Sequence, residues 1–378
     1  MIFNEDQESI RELAADFAKR RLTTDVLDEV ERTAQFPEDI YQEMAELGFL
    51  GIKAPEEYGG TGLDHVCYAI VMEEIAKVSG VASIYISSSN SLASAPILMS
   101  GTEEQKKKYM PGLFSGEYKM CFALTEPGAG SDAGGMTTTA VKKGDEYILN
   151  GRKTFITGAP LSKYATVYAK TDKTKGTKGI SAFIVDLESD GISFGKPEAK
   201  MGMIGCATSD IVFEDVKVPA DCLLGEENMG FINAMQTLDV GRIGVASQSI
   251  GIAGGALQEA INFAKERVQF GVPIAKMQGI RFMIAEMATK LEASRLLTYE
   301  ACQYKDLNDK RGSMAASMAK YYAAEACNQI CADAVQIHGG YGFSKEYKVE
   351  RMYRDARVLT IYEGTSQIQK VVIASHLL

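Results

Sequence analysis

The stretch Tyr147-Ile148-Leu149-Asn150-Gly151-Arg152-Lys153-Thr154-Phe155-Ile156-Thr157 decides the fold class. Tyr147 to Asn150 and Lys153 to Thr157 are short β-rich runs with a period of two, and Asn150-Gly151 between them is a strong hairpin-turn signal. The same period runs through Thr137 to Val141, Ala165 to Lys170, Ile180 to Val185 and Ser209 to Phe213, behind a strand-like Cys121-Phe122-Ala123. No helices alternate with these strands. Residues 121–230 therefore read as a compact β-barrel or sandwich rather than a parallel sheet, which argues against a Rossmann nucleotide site despite 36 glycines.

Helical spacing flanks this segment on both sides. Asn4 with Gln7 three places on forms a capping box, after which Ile10, Leu13, Ala14, Phe17 and Ala18 share a face. Pro37 opens a helix with Ile40, Met44 and Leu47 inward, and Gly48 is placed to end it. Tyr58 to Gly62 is a breaker before a helix through Ile70, Val71 and Ile75. Thr102 and Gln105 form a second capping box, and Lys106 to Lys108 read as a solvated face. The serine-rich segment Ser87 to Ser91 is either a buried helix with hydroxyls bonded to its own backbone or a pocket lining. Beyond 231, long patterns run from Gln248 to Val268, Met277 to Tyr304 and Ser313 to His338, as expected of a four-helix bundle, a form that often packs against copies of itself. The fold class is α+β: an N-terminal helical domain (1–120), a middle β domain (121–230) and a C-terminal helical bundle (231–378).

Composition narrows the chemistry. A formal net charge of −10 argues against nucleic acid and anionic membranes as partners. No run of about 18 apolar residues occurs, and Met1 to Asp6 lacks a basic region followed by an apolar core, so no membrane insertion, no signal peptide and a cytoplasmic location are expected. Seven scattered cysteines read as reduced core residues. Cys327 and Cys331 could share a helix face, but no His or further Cys nearby completes a metal site. With only His65, His338 and His376 available, catalysis falls to carboxylates or a cofactor.

Among the carboxylates, Glu363 has a distinctive setting. In Ile361-Tyr362-Glu363-Gly364-Thr365-Ser366-Gln367-Ile368-Gln369 it lies between an aromatic residue and a glycine, just before a helical pattern. Free amides at a helix start donate to anions or polarised carbonyls. A carboxylate beside them can take a proton from the carbon next to such a carbonyl if burial raises its pKa.

The segment Leu124-Thr125-Glu126-Pro127-Gly128-Ala129-Gly130-Ser131-Asp132 offers glycines for close backbone approach and hydroxyls for a ring edge. It resembles a signature of the acyl-CoA dehydrogenase family. So do Lys153 to Thr157, Glu266-Arg267-Val268-Gln269-Phe270-Gly271, Gln336-Ile337-His338-Gly339-Gly340 and the Glu363 stretch, which together cover essentially the whole chain in order.

The resemblance implies FAD as cofactor and an acyl-CoA or enoyl-CoA as substrate. Glu363 would be the base taking the α-proton while the β-hydrogen leaves as hydride to flavin N5. The Glu363 N–H and a flavin ribityl hydroxyl would hold the thioester oxygen, one such donor being worth roughly 3 kcal/mol. Phe122, Leu124, Thr125, Gly130, Ser131, Phe155, Ile156 and Thr157 would contact the isoalloxazine, with Ser131 near the substrate. Asp239, Arg242 and Gly364 would also bind substrate. Arg267, Phe270 and Gln278 would reach the FAD of a neighbouring subunit, and Gln336, Gly339, Gly340, Thr365 and Gln367 its dinucleotide portion. Arg267 also fits an ordinary helix-end cation, and a Gly-flanked His338 a helix cap. Some family members carry their base just before the Arg242 position; here that residue is Gly241, leaving Glu363 without a rival. Phe155 stands where Trp is frequent, and the chain has no Trp.

The implied function is FAD-dependent α,β-dehydrogenation of a short, medium, branched or aryl-bearing acyl-CoA, with electrons passing to an electron-transferring flavoprotein, by a homotetramer (a dimer of dimers). The same site run in reverse would be an enoyl-CoA reductase in an anaerobic pathway. An oxidase and a non-catalytic CoA- or flavin-binding protein are the other readings. The lining near residues 87–91 is expected to be more polar than a fatty-acyl pocket needs.

Overall fold

Asn4 Oδ1 accepts from the Gln7 amide at 2.9 Å and Gln7 Oε1 from the Asn4 amide at 3.2 Å, which starts the first helix at the position its sequence predicts. The structure, a computed structural model, describes residues 3–378; Met1 and Ile2 of the leader reading lie outside the described residues. Helix α1 (Glu5–Arg21) buries Ala14, Phe17 and Ala18. It is followed by α2 (Thr24–Thr33), α3 (Glu38–Glu46), α4 (His65–Ala76) and α5 (Gly80–Ser88). A π turn at Ser89–Ala93 then leads to α6 (Ala95–Ser100) and to α7 (Glu103–Phe114), which the Thr102–Gln105 box caps. Pro37 precedes α3 and Gly48 follows it at φ +75°, as read. Helix α2, capped by the Thr23 hydroxyl, has no counterpart in the sequence reading.

The chain then turns to β structure: β1 (Lys119–Ala123), β2 (Thr139–Lys143), β3 (Glu146–Thr157), β4 (Ser162–Lys170), β5 (Ile180–Asp186), β6 (Ile192–Phe194), β7 (Thr208–Pro219) and β8 (Leu223–Leu224). They form one mixed sheet in the order β6-β7-β3-β2-β4-β5-β8, with β1 parallel to β4. Alternation decides what each face buries. Ala165, Val167 and Ala169 of β4 join Leu149, Phe183, Phe213 and Val218 in one core, while Tyr168 faces Tyr109, Phe114 and Met120 in a second.

Asn150-Gly151 is not the hairpin turn. The tight turn is Gly144-Asp145, between the paired Lys143 and Glu146, and β3 runs on through position 151. The register slips between Leu149 and Gly151 instead, which marks a bulge. Asn150 there trades two hydrogen bonds with Asp215, each 2.9 Å, and Gly151 takes φ +151° with no room for a Cβ, which would sit 2.7 Å from Thr138 Cα. The dipeptide supplies what a turn needs, but it is used to bend a strand.

The remaining helices are α8 (Gly230–Glu266), α9 (Gln278–Asp306), α10 (Gly312–His338), α11 (Lys348–Ala356) and α12 (Ser366–Leu377). Helix α8 begins well before the expected Gln248. It packs on α10, α9 and α4, so it belongs to both helical layers. No helix among the described residues is long and apolar enough to cross a membrane.

One buried ion pair fixes the end of β3 and the loop after β1 that matter below. Lys153 Nζ, fully buried, donates to Glu126 Oε1 at 2.8 Å and to the Leu124 carbonyl at 3.0 Å. Glu126 also accepts from the Thr137 and Thr138 amides. Burial alone would raise this carboxyl; Lys153 and the Thr donors outweigh it and hold it at about 2. Removing one member of such a pair strands the other in a dry interior. Lys153→Met is expected to cost about 3–5 kcal/mol in a urea unfolding curve, and Glu126→Gln to loosen the 124–132 loop as seen by amide hydrogen exchange.

Candidate active site

The 124–132 loop leaves β1 and folds back on itself: Glu126 and Ala129 exchange amide bonds of 3.1 and 3.0 Å. The Thr154 amide donates to Thr125 O at 2.9 Å, which ties the loop to β3. A Cβ added at Gly128 or Gly130 would meet nothing within 4 Å, so this face is open. Beside it Phe155 is 64% exposed, a large ring left outside the core, and its φ of +54° turns the end of β3. Thr157 is half-buried and shares a small cavity with Ser88 and Ser89. Ile156, expected beside them, points its side chain into the sheet core and can offer only backbone; Leu124 is buried too. Phe122 is half-buried on Tyr168, and Ser131 is exposed.

The π turn Ser89–Ala93 packs between β1 and α8 and leads from this face to Glu363. Its polar residues divide. Ser89 donates to Leu50 O, Ser91 to Ser87 O, and Asn90 to Phe49 O and Ile86 O, so these satisfy backbone. Ser87 instead accepts from the Tyr68 hydroxyl at 3.3 Å, and both hydroxyls abut Gly244, where a Cβ would come within 2.5 Å of each. The buried, backbone-bonded reading of the run thus holds for Ser89, Asn90 and Ser91, while Ser88 and Ser89 line the small cavity beside Thr157.

Glu363 lies in the turn before α12. It and Gly364 are left-handed, with φ +52° and +90°, and Thr365 caps the helix by accepting from the Ile368 amide at 3.2 Å. Lys320 Nζ donates to Gly364 O at 2.7 Å, and Gln369 Nε2 donates to the same oxygen at 3.0 Å and to Glu363 O at 3.3 Å. On the other side the Tyr362 hydroxyl donates to Gln248 of α8. The carboxylate points at α8: a Cβ on Gly241 would fall 1.9 Å from Glu363 Oε2, with Leu92 alongside. That oxygen is enclosed and has no hydrogen-bond partner, although the residue as a whole is only half-covered. Burial pushes the carboxyl up to about 7, against the opposing pull of Lys320 and Arg242.

Arg242 is buried, pairs with Asp239 on its own helix and donates to Ser317 at 3.1 Å; its Nε is unpartnered. Ser313 donates to the other Asp239 oxygen at 2.9 Å. Asp239 thus remains near the surface while Arg242 faces Glu363.

A second site lies apart. Arg267, Phe270, Gly339 and Gly340 line a cavity of about 530 Å³ together with Phe263, His338 and Tyr341. Phe270 is 95% exposed, and the Arg267 guanidinium stacks 5.2 Å from the Tyr341 ring centre. His338 Nδ1 donates to Ala334 O at 2.8 Å, and the ring stacks on Phe263. Gln278 and Gln336 are exposed and outside the cavity lining; Gln367 is exposed at the start of α12. Open glycines, a cation and aromatic faces suit a planar ring system at the first site and an anionic, ring-bearing ligand at the second.

Family models match in three consecutive blocks: the acyl-CoA dehydrogenase N-terminal domain over residues 4–117, its middle domain over 121–216 and its C-terminal domain over 228–378. The chain belongs to the acyl-CoA dehydrogenase family. It is 65% identical to the caffeyl-CoA reductase-Etf complex subunit CarC of Acetobacterium woodii and 59% identical to the 3-(aryl)acrylate reductase of Clostridium sporogenes, each over 100% of both chains. Butyryl-CoA dehydrogenase from Megasphaera elsdenii superposes with a TM-score of 0.96 at 42% identity, covering 100% of each chain. This acyl-CoA dehydrogenase-family protein is therefore an oxidoreductase of CH–CH bonds, and its family implies a flavin.

Sequence reasoning missed Lys320 and Gln369, which hold the Glu363 turn. Gln369 could have been found, since it follows the helix cap by one turn. Gly241→Ala is expected to keep helical content by circular dichroism, because Ala suits a helix better than Gly by about 0.5–1 kcal/mol. Its methyl would displace the carboxylate, and kcat should fall about 10²-fold.

Proposed function

We propose that this chain binds FAD and interconverts an acyl-CoA and its 2-enoyl-CoA, acting as a reductase of an aryl-bearing enoyl-CoA with electrons from an electron-transferring flavoprotein. The observation that carries the reading is the Glu363 carboxyl, which burial lifts to about 7. Near neutral pH its acid and base forms coexist. The acid form can deliver a proton to the substrate α-carbon, as reduction requires; the base form can remove it, as dehydrogenation requires.

FAD, when bound, exchanges a hydride with the substrate β-carbon. Phe122, Thr125, Gly130, Ser131, Phe155 and Thr157 would hold its ring. Arg267, Phe270 and Gln278 would hold the dinucleotide of a neighbouring copy, with Gln336, Gly339, Gly340, Thr365 and Gln367. The exposure of Phe270 supports that shared site and hence the homotetramer. Gly364 and the Glu363 N–H, which meets no acceptor among the described residues, would receive the thioester oxygen. Asp239 and Arg242 would border the CoA chain. We take the protein to work in the cytoplasm, as three units spanning 1–120, 121–230 and 231–378.

The aryl preference draws on the likeness to the caffeyl-CoA and 3-(aryl)acrylate reductases and on the hydroxyls buried near the carboxylate. The Tyr68 and Ser87 hydroxyls lie about 4.5 Å along α8 from the carboxylate, three residues at helical rise. Hydroxyls so placed suit a polar ring better than a methyl terminus.

An anaerobic titration with acyl-CoAs and enoyl-CoAs, followed in the visible flavin band, tests this. Reoxidation of the reduced protein by aryl-enoyl-CoAs ahead of crotonyl-CoA is expected; bleaching of the oxidised band by butyryl-CoA, with aryl-enoyl-CoAs inert, would give the dehydrogenase reading the lead. Glu363→Gln should keep the flavin and lose about 10²–10⁴-fold in turnover in both directions. In the native protein, reduction should fall as pH rises through about 7, and dehydrogenation should rise over the same range.

A further inference from the structure

Helix α10 turns one polar stripe towards α8. Ser313, Ser317 and Lys320 follow one another at spacings of four and three residues, and they meet Asp239, Arg242 and the Glu363 turn in that order. The serines complete the Asp239–Arg242 pair. Lys320 is different: its side chain is fully buried, forms no ion pair among the described residues, and spends one hydrogen bond on the carbonyl of the residue after Glu363. An ammonium group in that position needs a reason, because burying a charge without a counter-ion is costly. The counter-charge it faces is the Glu363 carboxylate, itself enclosed and short of a hydrogen-bond donor.

We propose that Lys320 is the positioning residue of the catalytic turn: it clamps the left-handed Glu363-Gly364 backbone through the Gly364 carbonyl and directs a positive charge at the Glu363 carboxylate. The inference rests on Glu363 being the proton-transfer group. Two consecutive left-handed residues, one of them not glycine, need external bonds to persist, and Lys320 of α10 and Gln369 of α12 both supply them at the Gly364 carbonyl. The electrostatics agree. Burial pushes Lys320 down to about 8, while Glu363 pulls it up. The other charged or titratable groups facing the pair are Arg242 from α8, Glu325 on the same helix, Tyr68 from α4 and Tyr362 from the turn itself. Arg242 already has Asp239 as its partner, so Lys320 is the cation whose charge is left for the base.

A division of labour follows. Removing the charge favours the protonated acid, which helps proton delivery and hinders proton removal. Lys320 thereby sets how the two directions share the pH scale.

The test uses the flavin-loaded protein with Lys320→Met, Lys320→Gln and Glu363→Gln. Lys320→Gln keeps a donor for the Gly364 carbonyl without the charge; Lys320→Met keeps neither. In both, the acid limb of the dehydrogenation pH profile should move up by about 1 pH unit or more. Reduction should extend to correspondingly higher pH. At its own optimum Lys320→Gln should stay within about tenfold of native, and Lys320→Met should fall further because the turn loses its clamp. The carboxyl stretch of protonated Glu363, assigned by its absence in Glu363→Gln, should persist to higher pH in infrared difference spectra of both Lys320 variants. Unmoved pH limbs and an unmoved carboxyl band in Lys320→Gln would overturn the proposal. Full activity in Glu363→Gln would instead overturn the reading of the site itself.

Discussion

The structure depends on one face of α8 that is made mostly of glycine, with Gln248 as its one long side chain among 241, 244, 248, 251 and 255. Gly241, Gly244, Gly251 and Gly255 each meet a foreign atom where a Cβ would stand: the Glu363 carboxylate, the Tyr68 and Ser87 hydroxyls, the Glu73 carbonyl with the Ala76 methyl, and the Lys77 carbonyl. Every one of these approaches is closer than a methyl group would allow. Glycine weakens a helix by about 0.5–1 kcal/mol per site relative to alanine. Burial along the same helix repays that cost, since Ile243, Val245, Ile250 and Ile252 are nearly inaccessible. Because α8 can be approached so closely, α4 lies against it, and the C-terminal turn is pressed into the same seam.

This closeness gives the carboxylate its character. A glutamate on an open loop would titrate in the ordinary range. Here α8 beneath, Leu92 beside and Tyr362 locked to Gln248 exclude water from one oxygen, while Lys320 and Arg242 keep the charged form within reach. The flavin side is built on a different principle. Lys153 and Glu126 fix the backbone of a loop whose outer face is left bare, so rigidity comes from within the sheet and access is kept outside it.

Much of this was legible in the sequence, and the gaps have physical causes. The main strand runs and the long helical patterns were found, and the capping boxes at Asn4 and Thr102 were found because their chemistry is local; the short amphipathic helices α2 and α11 were not. Nor was the start of α8. Glycine at 241 and 244 lowers the local helix preference, and only tertiary contact overrides it. Asn150-Gly151 failed for the converse reason: the dipeptide's unusual backbone freedom was read correctly, but its use was set by a partner strand more than sixty positions on. Glu363 was legible through its turn. Lys320 was not, because a lysine among alanines on an amphipathic helix looks like a solvent-facing charge, and its acceptor is 44 residues away.

Gly241 and the Glu363 carboxylate claim the same volume. A side chain at 241 would reach into the space that the Glu363 carboxylate fills, so the helix and the loop offer two seats from which an acid could address one point. Any substituent at 241 pushes the carboxylate aside. The position of the base is thus written in two residues at once, one supplying the acid and the other the vacancy it occupies.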